Sequence, residues 1–190
     1  GETLTVTNQS ALVVRKKFSV TETTTGSAVT IRIDYHNNGT VTGNVTLVDV
    51  LSTDLDYLAG SENWNGTAVN PATGSNDPLG ISYSVNNDVV TAVITSVPAN
   101  TSGFIEFRAT VVRATAGDIS NVVNVASDHD NSTSTASISD ESNIAVLRVE
   151  PIYDVEINAN SSSASASAAD NVLTAAGVSQ GGVINFNNYV

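Results

Sequence analysis

A chain of 190 residues can hold one sizeable domain with extra strands, or one complete domain and part of another. Its formal charge of −12, with only seven Lys and Arg scattered along the sequence, excludes nucleic-acid binding through phosphate contacts and disfavours anionic membrane surfaces. Cysteine is absent, which rules out disulfides and thiolate metal sites, and aromatics at 5% leave a β-branched interior built from Val, Ile, Leu and Ala.

No apolar run approaches the roughly 20 residues needed to span a bilayer. Charged residues make up only 14% of the chain, with Ser, Thr and Asn covering the rest of the surface, a balance typical of secreted modules. The expected setting is therefore extracellular or at a cell surface.

In chain order, Glu2–Asn8 alternates Leu4 and Val6 against threonines and reads as a strand, an N-terminal extension over residues 1–10. Ala11–Val20 is a second extended stretch, and Thr21–Ser27 reads as a turn. Val29–Leu51 follows as two alternating strands joined by an Asn- and Gly-rich turn, read as a hairpin. Val29, Ile31, Ile33 and Tyr35 share one face of the first strand, and Val45, Leu47 and Leu51 one face of the second. Asp54–Leu58 continues extended. Gly60–Gly80 reads as a long loop broken by Asn65-Gly66, Pro71, Gly74, Asn76 and Pro78.

Strands are predicted at Ile81–Val85, Val89–Ile94, Phe104–Val112 and Ile119–Ser127, with Asn86-Asn87-Asp88 as a tight turn. These elements predict an all-β antiparallel sandwich over residues 11–143, with extra terminal strands and with Asp128–Asn143 as a polar tract. Residues 144–157 form an extended connecting strand interrupted by Pro151, and residues 158–170 a Ser/Ala-rich linker. The Ala-rich stretch ahead of Gly177 has a marginal tendency to helix. Within residues 171–190, Gly181–Val190 can be laid over Gly26–Tyr35. That makes it a candidate donor strand, or the start of a further repeat.

The Asn-Asn-Gly-Thr turn at Asn37–Thr40, the strand Val45–Leu51 (VTLVDVL) and the closing stretch Ile119–Asp128 carry a family resemblance over roughly Val14–Ser127. The chain resembles the bacterial surface repeat family called domain of unknown function eleven. The family usually has a proline just after the VTLVDVL strand, where this chain has Ser52-Thr53. The resemblance implies an immunoglobulin-like sandwich in an extracellular protein, a spacer, adhesin or surface-assembly role, and no catalytic residues.

Three groups of residues could carry chemistry or binding. Lys16 falls in phase with Phe18 and Val20, Asp49 with Val45 and Leu47, and Asn121 with Ile119 and Val123. Buried together, these three can form an isopeptide bond, with Asp49 relieving Lys16 of its proton so that the amine attacks the Asn121 carboxamide. The competing reading has Lys16 snorkelling at a strand end, Asp49 accepting turn hydrogen bonds and Asn121 capping a corner. Asp128, Asp130 and Asp140, with Asn131 and Glu141 nearby, offer hard oxygen ligands for calcium, against the alternative of a solvated acidic linker. Trp64 and Tyr57 could stack on sugar rings, or Trp64 could plug the end of the sandwich.

His36 and His129 are isolated, and no nucleophile elbow, phosphate loop or zinc-protease helix is present. No enzyme is expected, and no cofactor beyond the candidate calcium. The partners expected are copies of the chain or neighbouring repeats. The favoured role is a filament or layer subunit joined by strand addition, in which Ile184, Phe186 and Val190, or Leu4 and Val6, enter a neighbouring sheet. The alternatives are a slice of a tandem-repeat adhesin stalk and a carbohydrate-binding module.

Overall fold

A computed structural model describes residues 11–72, 77–128, 137–150, 152–158 and 172–179. The strand-addition residues Leu4, Val6, Ile184, Phe186 and Val190, and the linker after Asn158, lie outside them. The described residues are all strand and turn, so none forms a helix able to cross a membrane. The strands are β1 (Leu12–Phe18), β2 (Glu22–Thr24), β3 (Ala28–Asn37), β4 (Gly43–Val50), β5 (Leu55–Trp64), β6 (Thr67–Ala68), β7 (Ile81–Asn86) and β8 (Val89–Val97). They continue with β9 (Ser102–Val111), β10 (Gly117–Asn121), β11 (Asn124–Asp128), β12 (Ser137–Glu141), β13 (Ala145–Glu150), β14 (Ile152–Asn158) and β15 (Val172–Ser179).

One sheet runs β1-β3-β9-β5-β6 and a second β12-β11-β4-β8-β7. A smaller sheet, β10-β13-β2, adjoins the second through the short break between β10 and β11. Alternation explains the packing. Ile31, Ile33, Ile105 and Phe107 from the first sheet, and Val45, Leu47, Val90 and Ile94 from the second, enter one core, and Leu147 and Val149 of β13 join it. Each such aliphatic or aromatic side chain contributes about 1.5–3 kcal/mol on full burial.

The strands of Val29–Leu51 are as expected, but their pairing is not. β3 pairs with β1 and β9, whereas β4 pairs with β11 and β8, so the turn between them is an arch between sheets rather than a hairpin. Both strands carry a mostly apolar inner face, interrupted by Asn37 on β3 and Asp49 on β4, and placing them in opposite sheets lets those faces meet across the core. Asn37, fully buried at the end of β3, shapes the arch. Its Oδ1 accepts from the Ala11 and Gly39 N–H groups at 3.1 and 2.9 Å, and its Nδ2 donates to the Val41 and Val97 carbonyls at 2.8 and 2.9 Å. Asn37→Ala would leave several of these backbone groups unpaired and is expected to cost about 2–4 kcal/mol, read from the urea unfolding midpoint. An unchanged midpoint would mean that water replaces the amide.

Other departures have equally local causes. Asn65-Gly66 does not break a loop but is the two-residue turn of the β5–β6 hairpin, with φ of 50° and 83°, so part of the expected Gly60–Gly80 loop is strand. Asn87 and Asp88 likewise adopt φ of 49° and 59° in the expected β7–β8 turn. The turn before β3 contains β2, which runs parallel to β13. Part of the polar tract, Ser137–Glu141, pairs with β11. Val172–Ser179, within residues 171–190 and overlapping the Ala-rich stretch ahead of Gly177 that has a marginal tendency to helix, is a strand antiparallel to β14.

Candidate functional site

Strand β1 turns Val14, Lys16 and Phe18 inward and Val13, Arg15 and Lys17 outward. Val20, expected inward, is exposed, so it is Val14 that flanks Lys16 on the buried side. Asp49 shares the inner row of β4 with Val45 and Leu47, and Asn121 ends β10 in phase with Ile119. Lys16, Asp49 and Asn121 are 2%, 1% and 8% exposed, which removes the snorkelling alternative for the lysine.

The three side chains meet. Lys16 Nζ donates to Asp49 Oδ2 and to Asn121 Oδ1, and both contacts are buried. The Asn121 amide is oriented from its other side, where Nδ2 donates to the Val50 carbonyl at 2.8 Å, the residue after Asp49. That bond turns the carbonyl end of the amide toward the amine. Asp49 Oδ1 is buried with no hydrogen-bond partner among the described residues.

Burial governs the protonation of the pair. It pushes the Lys16 amine below its ordinary value, against the opposing pull of the Asp49 charge and hydrogen bond. It likewise raises the Asp49 carboxyl, against the lowering effect of Lys16. Both shifts favour the neutral amine and the neutral acid, the form reached when one proton passes from Lys16 to Asp49. A neutral amine touching an amide carbonyl is a nucleophile beside its electrophile.

The remaining candidates are not assembled in this way. Asp140 lies opposite Val125 and Asp128 opposite Ser137, three ladder positions apart, and Asp130 is outside the described residues. Among the described residues no group of three or more His, Asp or Glu side chains is placed to hold a metal ion. Trp64 and Tyr57 are both on β5 and pack partly buried against the core. Trp64 Nε1 donates to the Tyr35 hydroxyl at 2.7 Å, and the Tyr57 hydroxyl donates to Glu62 at 2.8 Å. Their polar tips are thus used internally, in keeping with the plug alternative for Trp64. His36 pairs with the Ser102 hydroxyl at 2.7 Å.

Ser142 and Asn143, which no sequence motif marks, anchor the chain at Val123, just after the Asn121 strand, and at Lys16 on β1. Only a register showing β12 and β13 flanking β11 and β10 could have pointed to them.

Fold and inner rows together define an immunoglobulin-like antiparallel β-sandwich. No family model and no curated protein sequence matches the chain. Solved structures do. A 35 kDa C-terminal fragment of the major pilin GBS80 of Streptococcus agalactiae aligns over 78% of this chain and 58% of its own, at 11% identity and a TM-score of 0.54. The full-length major pilin SpaD of Corynebacterium diphtheriae aligns over 85% of this chain and 40% of its own, at 12% identity and a TM-score of 0.55. The chain thus spans about half the length of these pilin chains, and at such identities the likeness is one of fold.

Proposed function

We propose that the chain is a non-enzymatic structural module of an extracellular filament or surface adhesin, and that an isopeptide bond between Lys16 and Asn121 closes its sandwich. The observation that carries this reading is the buried Lys16–Asp49–Asn121 contact, in a chain with no cysteine to cross-link. The sandwich shared with two major pilins supports the surface role, as does the resemblance to domain of unknown function eleven.

Lys16 gives a proton to Asp49, and its nitrogen attacks the Asn121 carbonyl carbon. The new bond is Lys16 N to Asn121 C, the bond that breaks is that carbon to Nδ2, and ammonia leaves. Of the protons on the ammonium and the carboxamide, three depart with ammonia, one stays on the new amide and one remains on Asp49. The reaction happens once per chain and needs no cofactor.

The test is the intact mass of the purified protein. Wild type is expected one ammonia below the sequence mass, and Lys16→Ala, Asp49→Ala and Asn121→Ala at full mass. A wild-type chain at full mass sinks the cross-link. Assembly with further copies would proceed by strand addition, for which Gly181–Val190 is the sequence candidate. Electron microscopy of wild type against a chain lacking those residues tests it, with loss of regular polymers expected on deletion.

A further inference from the structure

Lys16 and Asn121 are 105 positions apart and sit on strands that do not pair with each other. Among the described strands, β1 is the edge of its sheet and pairs with β3 alone. A reaction between them needs both strands held at near-attack distance, because placement errors of about 1 Å can cost on the order of 100-fold in rate. Two adjacent residues in the corner between β12 and β13 touch both strands.

The Asn143 side chain takes both backbone polar groups of Lys16. Its Oδ1 accepts the Lys16 N–H at 3.0 Å and its Nδ2 donates to the Lys16 carbonyl at 3.0 Å. This is the pattern of a paired strand, supplied by one amide to the edge that β1 presents among the described strands. Ser142 does the same for Val123, in the break just after β10 and two residues beyond Asn121. Its N–H donates to the Val123 carbonyl at 2.9 Å, and its hydroxyl oxygen accepts the Val123 N–H at 3.0 Å. The hydroxyl then donates to the Asn143 carbonyl at 2.9 Å, locking the two halves of the corner together.

Resting on the cross-link reading, we infer that Ser142 and Asn143 are positioning residues for isopeptide formation, a bracket that holds the Lys16 strand and the Asn121 strand in reacting register. Neither side chain hydrogen-bonds to the reacting atoms. Asn143 is exposed, so truncating it leaves the core intact, and its effect falls on the placement of Lys16.

The experiment follows cross-linking of the full chain made by cell-free synthesis, quenched in acidic denaturant at intervals and read by intact mass. Asn143→Ala is expected to lose ammonia roughly 10- to 100-fold more slowly than wild type. Asn143→Asp keeps the acceptor for the Lys16 N–H and is expected to fall between them. Arg113→Ala, which removes an ion pair to Asp54 away from the site, controls for general destabilisation and is expected to keep the wild-type rate. Asn143→Ala at the wild-type rate, or Arg113→Ala as slow as Asn143→Ala, overturns the bracket while the cross-link stands. A wild-type chain that never loses ammonia removes the cross-link itself, so the two failures are distinguishable. Should Asn143→Ala not fold, Asn143→Asp at the wild-type rate is equally decisive against the bracket.

Discussion

Asp49→Asn is expected to lower the thermal midpoint of the purified module by about 10–20 °C, alongside restoring the full mass. The substitution is nearly isosteric and removes only the group that takes the Lys16 proton, so the interior stays filled while the bond fails to form. By the loop-closure argument developed for disulfides, a cross-link spanning about 100 residues stabilises by about 5 kcal/mol through the unfolded state. In a chain of this size each kcal/mol moves the midpoint by about 2–4 °C. Asn121→Ala removes the electrophile instead of the base, and its midpoint should fall by a similar amount. Calorimetry on the three proteins decides the matter. Equal midpoints for wild type and Asp49→Asn would show that any covalent bond contributes nothing to stability.

Much of this site was legible from period-two alternation. With Phe18, Leu47 and Ile119 inward, period two carries Lys16, Asp49 and Asn121 into the same core. Polar residues on apolar rows are expensive unless they meet, and in this fold they do. Phase carries no information about partners, however. Alternation gave β3 and β4 their inner faces, yet it could not distinguish a hairpin from an arch. The difference lies in the four hydrogen bonds of the Asn37 side chain, which reach Ala11, Gly39, Val41 and Val97. Asn143 was invisible for the same reason. It is an exposed asparagine at the end of a polar tract, and its importance comes from β12 and β13 flanking the two halves of the closing strand. Asn65-Gly66 was visible but misjudged, since an Asn-Gly pair marks a hairpin as readily as it breaks a loop.

Pulled from its two ends, the wild-type chain is expected to unfold with about 350 Å less released length than Asp49→Asn. Force applied ahead of β1 reaches Lys16 within a few residues. With the proposed bond in place it then crosses directly to Asn121 and continues into β11, β12 and β13. Everything between the two residues, which includes β2 to β9 and nearly all of β10, lies inside a closed covalent loop and never bears the load. The bond therefore withholds about 100 residues from extension, at about 3.3–3.6 Å each. Strands β11 to β15 lie outside the loop and remain extensible, so the wild-type trace should still show short events as they peel away. Single-molecule force spectroscopy on the full chain, with handles at both termini, measures both quantities. Equal released lengths in wild type and Asp49→Asn would show that the load path does not pass through Lys16 and Asn121. A wild-type trace with no short event would show that neither the β14–β15 pair nor β13, held by β10 and β2, yields before the handles do.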